Sequence, residues 1–204
     1  MPENPKPSSD RSSPDISPLL RLIHRAERLE ALPRTGWIVC GVEGPESVAS
    51  HSYIVTLIAL WIADHVEEQV DVELMLRMAL FHDIAESMLT DLPGPVKALI
   101  GRDTVTRAEA DISQKVLEEA CPGWGVIDAL YRDKKSIEAR IVKAADRLQM
   151  LAKALQYHTQ RRGDVRRFLE AQACHDEGIP LVGEIFDALM KCYREEGWFI
   201  SDFD

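Results

Sequence analysis

Apolar residues recur at intervals of three and four along most of this chain, the period of an α-helix that turns one face to a core. The first run is Leu19, Leu20, Leu22, Ile23, Leu29 and Leu32, opened by Ser17-Pro18, an N-cap serine before a first-turn proline. Residues 33–45 then hold Pro33, Gly36, Gly41, Gly44 and Pro45, which interrupt regular structure. Inside that stretch Trp37, Ile38 and Val39 read as a short extended segment. A long apolar helix is predicted from Pro45 to about Glu67, through Val48, Tyr53, Ile54, Leu57, Ile58, Trp61 and Ile62. Asp71 caps the next one, which carries Leu74, Leu76, Met78, Leu80 and Phe81 to about Glu86. Thr90–Pro95 is a loop, and Pro95 opens a short helix to Ile100. A polar amphipathic helix over 103–120 ends at Pro122, Gly123 and Gly125. Helices at about 136–161 and 181–196, with a weaker one near 164–175, complete an all-α pattern. The reading is one helical domain over 15–204, behind a disordered Pro-, Ser- and charge-rich tail at 1–14.

Composition narrows the function classes. A hydrophobic content of 46% over 204 residues gives material for one real core. No apolar run reaches the roughly 18 residues of a spanning helix, and MPENPKPSSDRSSPD has no apolar stretch to serve as a secretory signal. Cys40, Cys121, Cys174 and Cys192 are widely spaced without a C-x-x-C pair, the usage of a reduced, cytoplasmic protein. A net charge of −10 argues against binding a nucleic-acid polymer, which needs a dense basic footprint. It would also repel a small anionic substrate at long range, so any phosphate pocket must supply its own positive charge.

Three helices carry ligand-type residues in apolar surroundings. Phe81-His82-Asp83-Ile84-Ala85-Glu86 puts His82, Asp83 and Glu86 at three- and four-residue spacing on neighbouring parts of one helical surface. An imidazole and two carboxylates are costly to bury there unless they pair or bind a metal. A solvated helix end is the plain alternative for that hexapeptide alone. His51 interrupts the apolar helix after Pro45, and Asp146 sits within Ile141-Val142-Lys143-Ala144-Ala145-Asp146-Arg147-Leu148. Taken singly, His51 could be a core histidine and Asp146 a partner of Lys143. Together two imidazoles and two carboxylates form a mixed N/O set that suits Mn²⁺, Fe²⁺, Co²⁺, Ni²⁺ or Zn²⁺, with Mg²⁺ possible.

This ordered His…His-Asp…Asp pattern resembles the HD-domain metal-dependent phosphohydrolases, and within them the bacterial 5′-deoxynucleotidases and the HD domain-containing protein 2 group. The carrying segments are Arg34-Thr35-Gly36-Trp37, Pro45-Glu46-Ser47-Val48-Ala49-Ser50-His51-Ser52-Tyr53, Phe81–Glu86, Thr90-Asp91-Leu92-Pro93 and Lys143–Leu148. They lie within about 18–160; the C-terminal helices over 164–200 carry no recognised motif. The resemblance implies a single HD-domain helical bundle that binds one divalent metal ion through His51, His82, Asp83 and Asp146. It implies Glu86 as the acid/base on the attacking water, Asp91 as a second carboxylate near the water or leaving group, and Arg34 as the phosphate grip. Trp37 and Lys143 are further substrate-binding candidates. In the deoxynucleotidases a tryptophan follows that arginine directly, whereas Thr35 and Gly36 intervene here, so a deoxy-over-ribo preference does not carry over. The implied activity is phosphate release from (deoxy)nucleoside 5′-monophosphates by a homodimer acting on a small phosphate ester, with no nucleic-acid polymer and no membrane as partner. Spare apolar positions at Ile185, Phe186, Leu189 and Met190 are the sequence's own suggestion of an interface.

Dinuclear relatives insert further histidines before the last Asp, and none lies between His82 and His158. Guanosine tetraphosphate hydrolases show Glu-Asp where this chain has Glu86-Ser87, which disfavours a mononuclear pyrophosphohydrolase. A non-catalytic metal-binding helical module is the other alternative, disfavoured by the presence of Glu86, Asp91 and Arg34. Lys97 reads as a solvated helix residue, Lys143 also as a partner for Asp146 or Glu138, and His24, His65, His158 and His175 as surface or packing residues.

Overall fold

The computed structural model describes residues 14–170 and 176–195. Among these, every regular element is a helix: α1 (Ser17–Ala31), α2 (Thr35–Val39), α3 (Val48–Ala63), α4 (Val72–Phe81), α5 (Glu86–Leu89), α6 (Gly94–Ile100), α7 (Arg102–Ala120), α8 (Gly125–Asp133), α9 (Ile137–Thr159), α10 (Arg166–Glu170) and α11 (Pro180–Arg194). The only bridge described joins Pro33 to Ser47.

The centre is the packing of α3 on α9, with α4 against both. Small residues let these axes approach: Ala59 of α3 and Ala139, Ala144, Ala145 and Ala154 of α9 are all fully buried. Val55, Ile62, Met75, Met78, Ile141 and Leu155 fill the space between. Side-chain caps start the three core helices: Ser47 accepts from Ser50 N, Asp71 from Leu74 N and Ser136 from Ala139 N, at 3.0–3.2 Å. A second apolar cluster, with Leu29, Val48, Ile84 and Leu117 buried, seals α1 and α7 onto the α3–α5 side.

The structure departs from the sequence reading in five places. Ser17 is already helical, and Asp15 accepts its N–H at 2.9 Å, so the acid rather than the serine serves the end of α1. The helix expected from Pro45 begins at Val48, because Ser47 takes the cap and its neighbour Glu46 pairs by backbone with Arg34. Trp37-Ile38-Val39 is helical, not extended. Asp91 holds Thr35 N at 2.6 Å at its start, and Trp37 is sandwiched by Tyr157 and Phe168, contacts invisible to local pattern. The helix expected to reach Glu86 ends at Phe81, and the chain tightens through i→i+3 bonds, Ile84 N to Phe81 O and Glu86 N to Asp83 O, before α5. Finally, Gly125 opens a helix where an ending was expected, since Glu118 accepts the N–H groups of Gly123 and Gly125. The 1–14 tail, except Pro14, and residues 171–175 of the weaker helix fall outside the described residues, as do Cys174 and His175.

Candidate metal centre and anion cavity

His51 reaches the site from α3, His82 and Asp83 from the tight turn after α4, and Asp146 from α9. His51 is completely buried and His82 nearly so. The possible ligand atoms of His51, His82 and Asp83 lie within 4.8 Å of one another. Asp146 joins them through Oδ1, 3.3 Å from His51 Nε2. His82 Nε2 lies 3.4 Å from His51 Nε2 and 3.3 Å from Asp83 Oδ2.

The outward nitrogens decide what this cluster can accept. His82 Nδ1 donates to Ala79 O at 2.8 Å, and His51 Nδ1 to Gln149 Oε1 at 2.6 Å. Both imidazoles therefore turn a bare Nε2 lone pair inward, where two carboxylates also converge. Such a gathering of acceptors repels itself unless positive charge sits among them. A divalent cation with nitrogen and oxygen ligands fits that need, and the residues present match its chemistry. Protons answer the same field: although burial opposes it, Asp83 raises the His82 pKa. Burial likewise opposes ionisation of Asp83 and Asp146, yet His82 and Lys143 respectively hold them well below the usual carboxylate range.

Around this point opens a cavity of about 1020 Å³. Its walls carry Arg34, Lys97, Arg102, Arg132, Lys134, Lys143 and Arg167 beside Glu46, Asp83, Glu86, Asp91, Glu109 and Asp146, so in a chain of charge −10 the cations here offset the local carboxylates. Arg34 Nη1 lies 2.9 Å from Asp83 Oδ2 and 3.8 Å from Glu86 Oε1. Burial works against its charge, but the surrounding carboxylates more than offset this. Glu86 is 8% exposed, and its Oε2 has no hydrogen-bond partner. Burial, then the adjacent Asp83 charge, pushes its pKa up to about 10, against the opposing pull of Arg34. A buried carboxyl with one unpartnered oxygen, facing the cavity, is equipped to hold a proton and exchange it with water.

The other sequence candidates also line the cavity, in more specific settings. Asp91 is buried, with one oxygen engaged by the Thr35 amide. Trp37 is 3% exposed and its indole N–H donates to Glu46 Oε1 at 3.0 Å. Lys143 Nζ sits 2.6 Å from Asp146 Oδ2, the pairing that spacing had offered as one alternative. Lys97 is not a solvated residue as expected but an ion pair with Glu109 at 2.8 Å. His65 stacks on Trp61 and His158 meets Tyr193 edge-on, away from the cluster.

Sequence reasoning missed Gln149 and the role of Glu46. Gln149 is 1% exposed, and three residues past Asp146 it shares that residue's face of α9; a buried amide at that spacing was the available signal.

The chain matches known proteins over the span that builds this site. An HD domain model matches residues 26–179. Mouse 5′-deoxynucleotidase HDDC2 is 29% identical over 175 residues, 82% of this chain and 86% of the mouse protein. The 5′-deoxynucleotidase HDDC2 of Danio rerio is 31% identical over 149 residues, 68% of this chain and 69% of that protein. In three dimensions, a conserved hypothetical protein from Pyrococcus furiosus aligns with a TM-score of 0.71 at 30% identity, covering 84% of this chain and 99% of that one. The converging histidines and aspartates, Arg34 and Glu86 all lie inside the matched residues, and the chain belongs to the HD domain family.

Proposed function

We propose that this chain hydrolyses (deoxy)nucleoside 5′-monophosphates to nucleoside and inorganic phosphate. His51, His82, Asp83 and Asp146 would hold one divalent metal ion, of the Mn, Fe, Co, Ni, Zn or Mg group. The observation that carries this reading is the convergence of two bare imidazole nitrogens and two carboxylates beside Arg34 and Glu86. The substrate class is supported by the mouse and zebrafish relatives, which are named 5′-deoxynucleotidases.

When bound, such an ion supplies positive charge to a phosphoryl group and makes water a competent nucleophile near neutral pH. Arg34 releases Asp83 and turns its planar fork to two phosphoryl oxygens, where its charge counts most as negative charge builds. Glu86, a neutral acid in the metal-free fold, would be returned to a carboxylate by the positive charge of a bound ion, and in that form it would take the proton of the attacking water while the new P–O bond forms. As the bond to the 5′ oxygen breaks, that proton passes to the leaving alkoxide, restoring the carboxylate. Asp91 fastens the turn that carries Arg34 by accepting from Thr35 N, and it lines the cavity in which the attacking water would sit. Trp37 forms the adjoining wall, and Lys143 adds charge to the rim while holding Asp146.

The same reading takes the protein to be a cytoplasmic homodimer. Cys40, Cys121 and Cys192 are unpaired, and α3 exposes Tyr53, Leu57 and Trp61 along one side. The α11 positions first considered for an interface are occupied otherwise, because Leu189 is buried and Ile185, Phe186 and Met190 pack on the core. No helix among the described residues is long and apolar enough to cross a membrane.

A phosphate-release screen of deoxy- and ribonucleoside monophosphates with several divalent metals tests the activity. Phosphate from the 5′-deoxynucleotides is expected. Silence from every monophosphate with every metal would refute the reading and favour a pyrophosphohydrolase or a binding module.

A further inference from the structure

The orientation of His51 is set by a chain of hydrogen bonds that begins at Glu46 and passes through Gln149. Glu46 Oε2 accepts from Gln149 Nε2 at 2.8 Å, and Gln149 Oε1 accepts from His51 Nδ1 at 2.6 Å. An amide can present either end and an imidazole can carry its proton on either nitrogen, so neither residue fixes its own polarity. A carboxylate cannot donate. Glu46 therefore forces the amide nitrogen of Gln149 toward itself and the amide oxygen toward His51. That oxygen in turn requires a proton on Nδ1, which leaves Nε2 bare and pointing at Asp146 and His82. The second histidine needs no such device, because a backbone carbonyl, Ala79 O, already fixes it.

Glu46 has a second set of contacts, on the anion side. Its other oxygen accepts the Trp37 indole N–H at 3.0 Å, and its backbone carbonyl accepts from Arg34 N at 2.9 Å. Its own amide donates to Tyr157 Oη at 2.8 Å, and Lys153 Nζ lies 3.6 Å from its carboxylate. The side chain is 5% exposed, so water does not compete for these bonds.

We propose that Glu46 is a positioning residue that selects the inward-facing lone pair of His51 through Gln149 while holding the Trp37 turn that presents Arg34. This rests on the reading of His51 as a metal ligand. Partners that fix the tautomer of a liganding histidine commonly change metal affinity about 10- to 100-fold when removed.

Because polarity starts at the carboxylate, exchanging residues 46 and 149 tests it. In Glu46→Gln the Trp37 indole N–H holds the new amide oxygen, so its NH2 faces Gln149 and lets that amide reverse. In the double variant Glu46→Gln/Gln149→Glu the carboxylate sits against His51 Nδ1, and the amide at 46 donates to it while accepting from Trp37. Histidine ¹⁵N NMR of the metal-free full chain at about pH 8.5, above the ordinary histidine range, reads the tautomer. Calorimetry with Mn²⁺ alone reads affinity, and thermal unfolding verifies each fold. Wild type is expected to show one Nδ1–H tautomer at His51. Glu46→Gln should show a mixture with Mn²⁺ binding about 10- to 100-fold weaker, and the double variant should return toward wild type in both. An unchanged tautomer and affinity in Glu46→Gln would overturn the proposal. So would a double variant no better than the single one. If wild type shows the Nδ1–H tautomer but binds no Mn²⁺, the metal reading fails while the relay stands on its NMR signature.

Discussion

Replacing Glu86 by Gln should make the metal-free protein more stable at neutral pH while removing its turnover. The unfolded chain ionises this carboxyl with an ordinary pKa of 4.5, whereas in the fold it is pushed up to about 10 by burial and by Asp83. A raised carboxyl pKa stabilises nothing above 4.5; folding must take up a proton, and stability falls as pH climbs from 4.5 toward 10. At pH 7 that uptake costs about 1.4 kcal/mol for each unit above 4.5, or about 3 kcal/mol. The figure depends only on the folded value lying above 7. Gln has the same shape and never ionises, and the unpartnered Oε2 position goes unpartnered in both proteins, so that term cancels. For a chain of this size about 3 kcal/mol corresponds to roughly 6–12 °C in Tm. Thermal unfolding in chelator at pH 7 and again near pH 4.5 reads the effect, which should shrink toward zero at the lower pH. Phosphate release by the same variant should drop by about 10²–10⁴-fold, the usual worth of a proton-transfer group. A Tm gap that is absent at pH 7, or equal at both pH values, would refute the buried neutral carboxyl. Unimpaired turnover would refute its catalytic role.

Three further outcomes are expected. A divalent metal at about 100 times its Kd should stabilise the protein by about 2.7 kcal/mol, and Asp146→Ala should abolish that thermal shift; metal analysis finding undiminished content in the variant would show that Asp146 is no ligand. Arg34→Ala should raise KM and also lower kcat, because the guanidinium meets both bound and reacting phosphate, and steady-state kinetics with unchanged KM would count against the grip. Light scattering should give twice the monomer mass, and Trp61→Glu on the exposed side of α3 should reduce it to one; a monomeric wild type would end the homodimer proposal.

The elements of this protein were largely legible one helix at a time. Apolar periodicity located α1, α3, α4, α7, α9 and α11, because each buries one face and that face recurs at the helical period. Asp71 could be read as a cap for the same local reason. The ligand types stood out as costly residues in apolar helices, so His51, His82, Asp83 and Asp146 were visible without any knowledge of their distances. What periodicity could not supply was every feature made by a side chain that reaches beyond its own helix. Trp37 is helical because Asp91 caps its turn and Tyr157 and Phe168 enclose it. Gly125 starts a helix because Glu118 receives its amide.

The sequence by itself thus determined the all-helical class and the inventory of chemistry, since both follow from composition and local spacing. Only the tertiary structure decided how that inventory is polarised. Which nitrogen of His51 is bare depends on Gln149, 98 residues away, and on Glu46, which lies 103 residues from Gln149. Whether Glu86 holds a proton depends on burial and on Asp83 beside it. Whether an acidic chain can receive an anion depends on Arg34, Lys97, Arg132 and Lys143 meeting at one cavity and offsetting the carboxylates that pair with them there. Protonation, tautomer and local field are set by distance and solvent access, and a linear chain specifies neither until it has folded.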